Sequence, residues 1–133
     1  MRLVVDANII FSALIAGRLS SLLLSRELEL IAPHLLLEEI RNNKEEVKVK
    51  SHLTDADFEL LLMLLEKRIR FVPFEEFIEK FDDAEKLLRE HKKDVPYIAL
   101  ALQYNCPVWT YEKRFAGKIT MITTKEVRNF LRR

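Results

Sequence analysis

Residues 2–16 read RLVVDANIIFSALIA, and this stretch decides the predicted fold. Leu3–Val5 is a continuous apolar run typical of a buried strand, Asp6 follows it directly, and a helical pattern runs from about Asn8 to Ala16. An ionised carboxylate is costly in so apolar a segment unless water, a hydrogen-bond donor, a cation or a metal ion reaches it. The rest of the chain must therefore supply a partner for Asp6 or leave it open to water.

Short apolar runs alternate with helical patterns along the whole chain. Five runs are typical of strands: Leu3–Val5, Leu28–Ala32, Ile69–Val72, Pro107–Thr110 and Ile119–Ile122. Helical patterns cover about Asn8–Ala16, Leu19–Arg26, His34–Glu46, Thr54–Arg68 and Phe74–Glu90, a segment that opens at Asp94, and a last one capped by Thr123 and Glu126. This alternation predicts an α/β fold, with a central parallel sheet of about five strands covered by helices on both faces.

Composition limits the class of protein. The chain has 133 residues, 49% hydrophobic and 32% charged, with a net charge of +1. Residues 1–133 are expected to form one globular domain, and no apolar stretch reaches the roughly 20 residues of a membrane span. A signal peptide would have to contain Asp6, and the single cysteine, Cys106, suits a reducing compartment. We therefore expect a cytoplasmic protein.

Acidic residues from separated parts of the chain are predicted at one edge of the sheet. Asp6 ends the first strand, Glu38 and Glu39 lie on the helix after the second, and Glu112 lies just beyond the fourth. The helix that opens at Asp94 leads into the start of the fourth strand, so it must begin at the opposite, carboxyl edge. Ligands of open α/β sheets bind along this carboxyl edge.

Like charges raise one another's cost of ionisation, so four converging acids need a reason. Taken singly, Asp94 is an ordinary helix N-cap, and Glu38, Glu39 and Glu112 are ordinary surface acids. Taken together, they form an oxygen-rich cluster that suits Mg²⁺ or Mn²⁺, ions that activate water and stabilise the oxygens of a phosphoryl displacement. The predicted partner of Asp6 is therefore a divalent metal ion.

At this point the chain resembles the PIN domain family of metal-dependent ribonucleases, which includes the toxins of toxin–antitoxin pairs. The segments that carry the resemblance are LVVDANIIFSALI (3–15), APHLLLEEI (32–40) and DVPYIALALQYNCPVWT (94–110). They resemble the family's first three acidic motifs, with Asp6, Glu39 (preferred to Glu38) and Asp94 as the acids. The resemblance implies a PIN-like sandwich over nearly the whole chain.

The resemblance also implies a function. It implies a Mg²⁺- or Mn²⁺-dependent endoribonuclease, with Asp6, Glu39, Asp94 and Glu112 as the catalytic and metal-binding residues. Supporting roles fall on Asn8 and Thr110. The implied partners are RNA, a second copy of the chain in a homodimer and, for a toxin, an antitoxin protein.

Basic residues flank the predicted acidic edge. Lys92, Lys93, Lys113 and Arg114 are candidates for contacts with RNA phosphates, with a solvated basic face as the plain alternative. Tyr111 is a candidate for stacking on a base, or else an aromatic packed at the edge.

Two other functions stay open. The family's fourth motif has Thr or Ser, then Asn, then Asp, whereas this chain has Thr110, Tyr111 and Glu112. This departure favours, as an alternative, a catalytically weak or inactive module that binds RNA or a protein. A phosphatase or phosphoacceptor with Asp6 as the nucleophile is disfavoured, because the pattern of such enzymes needs an Asp where Asn8 stands.

Overall fold

The computed structural model describes residues 1–88, 92–111 and 119–132. Its strands are β1 (Arg2–Val5), β2 (Glu29–Pro33), β3 (Ile69–Val72), β4 (Val108–Trp109) and β5 (Met121–Ile122). The α-helices of the described residues are α1 (Ala7–Ala16), α2 (Ser21–Leu24), α3 (His34–Asn42), α4 (Lys44–Ser51), α5 (Asp55–Arg68), α6 (Phe81–Leu88), α7 (Val95–Tyr104) and α8 (Thr124–Leu131). The predicted α/β fold with a five-stranded parallel sheet is confirmed.

The strand order decides where the site lies. The sheet has the order β3-β2-β1-β4-β5, and every pair is parallel. β1 is the central strand, with Leu3, Val4 and Val5 fully buried. The chain runs outward from β1 to β3, then returns to β4 on the other side of β1. The carboxyl ends of β1 and β4 therefore form the point where the strand order reverses, which is where open α/β sheets bind ligands.

The helices form two groups. Within the first, α1 packs on α4, and α4 also packs on α3 and α5. In the second group α6 packs on α7, and α7 lies against β1, β2 and β4. Because crossovers between parallel strands are right-handed, the reversal of direction after β3 places these two groups on opposite faces of the sheet. The described residues include no helix long and apolar enough to cross a membrane.

Two predicted helices are broken in the structure. The helix predicted over His34–Glu46 is divided at Asn43, whose φ is −103° and whose side-chain Nδ2 donates to the carbonyl oxygen of Glu39 at 2.7 Å. Such side-chain hydrogen bonds to the backbone compete with the helical ladder. The chain therefore turns here, and α4 packs separately on α1.

The helix predicted over Phe74–Glu90 is also wrong in its first half. Two single 3₁₀ turns, Phe74–Glu76 and Ile78–Lys80, precede α6. Phe77 between them has a φ of −134° and is buried, and its ring lies 6.0 Å from that of Phe74 and 5.9 Å from that of Phe81. Packing of the three rings sets the path of this segment, in place of a continuous helix. Residues 89–90 of the predicted helix lie outside the described residues.

Helix capping follows the sequence closely. Thr123 and Glu126 form the predicted capping box of α8, with the Thr123 hydroxyl accepting from the Glu126 N–H and the Glu126 carboxylate accepting from the Thr123 N–H. Thr54 caps α5 by accepting from the Asp57 N–H at 3.1 Å. The predicted helix Leu19–Arg26 shrinks to the four residues of α2, which Ser20 caps. Capping contacts of this kind can be predicted from the sequence because both partners lie within one helical turn.

Candidate functional site

Asp6 lies where β1 ends, beside the end of β4. Its N–H donates to the carbonyl of Trp109 at 2.9 Å, which extends the pairing of the two strands by one residue. The hydroxyl of Thr110, itself buried, donates to Oδ2 of Asp6 at 2.8 Å, although the two residues are 104 positions apart. Asp6 precedes α1 but its side chain makes no capping hydrogen bond with that helix. Thr110 thus holds a half-buried carboxylate at the reversal point of the sheet.

The structure separates the two glutamates of α3. Glu38 is exposed, and its carboxylate lies 3.7 Å from the imidazole of His34. Glu39 is half-buried, and desolvation raises the pKa of its carboxyl group. The ammonium group of Lys93 opposes this rise, and the charge of Asp6 adds to it, so both groups lie within electrostatic reach of Glu39. Glu39 is therefore the half-buried α3 acid that lies within electrostatic reach of Asp6.

Asp94 lies at the start of α7, in the N-cap position. It belongs to a 3₁₀ turn, Lys92–Asp94, and has a φ of −90° and a ψ of −9°, outside the extended region usual for a capping residue. Its side chain makes no capping hydrogen bond. The ordinary explanation of an aspartate at this position, a helix cap, therefore does not account for Asp94.

A buried tyrosine, Tyr97, lies near these three carboxylates, and no role was predicted for it from the sequence. It follows Asp94 by three residues on α7, so both lie on one side of the helix. Its side chain is 4% exposed, and its hydroxyl lacks a hydrogen-bond partner among the described residues. Burial raises the pKa of Tyr97 far above its ordinary value, and the charges of Glu39, Asp6 and Asp94 raise it further. All three acids therefore lie within electrostatic reach of a single buried hydroxyl.

A signal for Tyr97 exists in the sequence. The segment VPYIALAL is apolar apart from this hydroxyl, and it begins directly after Asp94. A tyrosine in a buried helix normally finds a partner for its hydroxyl, so its place one turn from a site acid was informative. We call Asp6, Glu39, Asp94 and the Tyr97 hydroxyl the acidic rim.

The acidic rim fits a hard divalent cation by its chemistry. Its candidate ligand atoms are carboxylate oxygens, which Mg²⁺ and Mn²⁺ prefer. The rim also contains a buried hydroxyl, that of Tyr97, which lacks a hydrogen-bond partner among the described residues. Within residues 1–88, 92–111 and 119–132, however, no three His, Cys, Asp or Glu side chains are close enough to form a ready-made metal site.

Three of the remaining predicted site residues, Asn8, Lys92 and Lys93, lie in the described part of the chain. Asn8 is exposed on the first turn of α1, and Lys93 is exposed and close to Glu39. Lys92 is also exposed but lines a cavity of about 330 Å³ between α6 and α7. The two neighbouring lysines therefore lie in different surroundings, Lys92 at this cavity and Lys93 near Glu39. The other predicted site residues, Glu112, Lys113 and Arg114, lie outside the described residues.

Comparison with known proteins agrees with the architecture. The family model of the PIN domain matches residues 4–132, nearly the whole chain. No curated protein matches the chain. The matched range contains all the described residues of the acidic rim.

Proposed function

The chain belongs to the PIN domain family, whose members are generally nucleases, and from this premise we propose that it is a Mg²⁺- or Mn²⁺-dependent endoribonuclease. The observation that carries the proposal is the acidic rim: three carboxylates from three distant segments lie within electrostatic reach of one buried hydroxyl that has no described partner. A purely structural role does not explain it, because gathering like charges destabilises the metal-free protein.

Asp6, Asp94 and Glu39 would hold the ion, with Glu112 as the fourth acid. A divalent ion at such carboxylates activates water and neutralises charge on the phosphodiester. Thr110 holds Asp6 in place through its 2.8 Å hydrogen bond to Oδ2, and such a support would orient the carboxylate as a metal ligand. The buried Tyr97 hydroxyl, which lacks a partner among the described residues, would serve as a hydrogen-bond donor to one of these carboxylates. These residues therefore position the ligands in advance of binding.

Lys93 has two proposed tasks. In the metal-free protein its ammonium group opposes the rise in the pKa of Glu39 that burial causes. The exposed Lys93 side chain would also be able to contact an RNA phosphate. Lys92, Lys113 and Arg114 stay in the proposal as further phosphate contacts.

The test is cleavage of a short single-stranded RNA by the full chain. We expect hydrolysis with Mn²⁺ or Mg²⁺, loss of hydrolysis with EDTA, and loss in Asp94→Asn. Asp83→Asn, which changes an exposed aspartate on α6, is the matched control and should cleave normally. Cleavage that persists in EDTA, or that is unchanged in Asp94→Asn, would contradict the proposal.

The alternative function, RNA binding without efficient cleavage, rests on Glu112. If the longer side chain weakens the site, Glu112→Asp should raise the rate of metal-dependent cleavage, because it restores the acid that the family has at this position. Binding of RNA by both proteins without cleavage by either would favour the non-catalytic module.

The toxin role, the partner proteins and the cytoplasmic location are narrower parts of the proposal. Expression of a toxin should arrest cell growth, and co-expression of the neighbouring gene should relieve the arrest. For a homodimer, α5 offers exposed apolar side chains, with Leu60 53% and Leu64 42% exposed. Light scattering should then report a dimer for the wild type and a monomer for the Leu60→Glu, Leu64→Glu variant.

A further inference from the structure

A polar cleft, distinct from the cavity between α6 and α7, lies beside the acidic rim. It has a volume of about 280 Å³ and lies between α1, the segment before α2, the end of β4 and α8. Its polar and charged lining residues are Ser12, Arg18, Ser20, Ser21, Tyr111, Thr124 and Arg128. The buried indole of Trp109 also lines it, with Nε1 donating to the Thr124 hydroxyl at 3.0 Å.

The charge of this cleft is opposite to that of the acidic rim. Two arginines, Arg18 and Arg128, line it, and no Asp or Glu of the described residues does. Both arginines are exposed, and in the described part of the chain neither takes part in a salt bridge. Guanidinium groups and hydroxyl donors together are the groups that bind phosphate oxygens.

The cleft also contains an aromatic ring that is open to solvent. Tyr111 is 52% exposed, while Trp109, two residues earlier, is buried. An exposed ring beside cationic groups is the usual arrangement for stacking an unpaired base.

Position connects the cleft to the acidic rim. Tyr111 directly follows Thr110, whose hydroxyl holds Asp6, and Ile9 of the lining lies three residues after Asp6 on α1. From Ile9 to Ala16 the cleft follows α1 for about 10 Å. This length and the small volume suit one nucleotide that extends away from the acidic rim.

We propose that this cleft binds the nucleotide of single-stranded RNA that flanks the cleaved phosphodiester, with its base on Tyr111 and its phosphate between Arg18 and Arg128. The proposal rests on the proposed endoribonuclease function for the direction of the strand. Its contacts involve no metal ligand, so RNA binding at the cleft should persist in EDTA.

The experiment measures binding of a fluorescein-labelled, single-stranded RNA to the full chain in EDTA at several salt concentrations. Arg18→Gln, Arg128→Gln should lower the affinity and reduce the slope of log affinity against log salt by about 1.4, or about 0.7 for each lost contact. Tyr111→Leu should weaken binding by between roughly 5- and 150-fold while leaving the slope unchanged.

The matched control removes two positive charges at the opposite edge of the sheet. Arg26 precedes β2 and Lys67 lies near the end of α5, just before β3, and both are exposed. Arg26→Gln, Lys67→Gln should keep the affinity and slope of the wild type. An equal loss in this control would show that only the total charge matters, and would overturn the proposal.

Several results would separate this proposal from the proposed function. RNA affinity that is unchanged in both cleft variants, or wild type that does not bind RNA in EDTA, would overturn the cleft even if the chain cleaves RNA with Mn²⁺. The same cleft variants should then be tested with an acidic peptide, the other ligand that two arginines suit. Loss of RNA binding in the cleft variants of a chain that does not hydrolyse RNA would support the cleft and refute the endoribonuclease.

Discussion

The substitution Asp6→Asn separates a metal ligand from a structural carboxylate. In the metal-free protein two effects oppose each other. The hydrogen bond from Thr110 Oγ1 to Asp6 Oδ2, 2.8 Å long, weakens when its acceptor loses its charge, at a cost of about 1 kcal/mol. Removal of the same charge relieves repulsion with Glu39, whose pKa Asp6 raises, by about 1 kcal/mol. We therefore expect a metal-free stability within about 1 kcal/mol of the wild type.

The ion should change the comparison. At 100 times its dissociation constant it stabilises the wild type by about 2.7 kcal/mol, which corresponds to a rise in Tm of roughly 10 °C for a chain of this size. Asp6→Asn should show a much smaller rise, and Asp83→Asn on exposed α6 should show the full rise. Thermal melts of the three proteins, each in EDTA and in Mn²⁺, measure these Tm values. An Asp6→Asn protein that melts far below the wild type in EDTA yet keeps the full Mn²⁺-induced rise would refute the reasoning.

Three further predictions concern Glu39, Tyr97 and Lys93. Burial raises the pKa of Glu39, so its share of stability is present below about pH 4.5 and lost as pH rises through its folded pKa; Glu39→Gln should raise the metal-free Tm at pH 7 and not at pH 4. Tyr97→Phe removes a buried hydroxyl without a described partner, so it should keep or raise the metal-free Tm. In calorimetry the same substitution should weaken Mn²⁺ binding by about 10- to 100-fold. The control Tyr104→Phe, at the far end of α7, should not change the affinity for Mn²⁺. Lys93→Ala should reduce the slope of log RNA affinity against log salt by about 0.7. Lys92→Ala should reduce it less, because the Lys92 side chain lines the α6–α7 cavity. Equal effects of the two substitutions would contradict the different roles assigned to the two lysines.

The sequence by itself determined the α/β class, the parallel sheet and the burial of β1. These follow from local patterns: Leu3–Val5 is apolar on both sides, as a strand buried on both faces must be, and Thr123 with Glu126 caps a helix through contacts within one turn. The edge on which Asp6, Glu39 and Asp94 lie was predictable for a related reason. In a parallel sheet, the direction of each strand decides at which edge the next helix begins.

Only the tertiary structure decided which of these groups meet. The order β3-β2-β1-β4-β5 pairs β1 with β4 across about a hundred residues, and no local pattern specifies that neighbour. The contact of Thr110 with Asp6 and the burial of the Tyr97 hydroxyl depend on this pairing. So does the cleft beside Tyr111, since α1, β4 and α8 become neighbours only when the sheet forms. Propensity and periodicity act within a turn or a strand, whereas the site is made by packing between segments that are far apart in the chain.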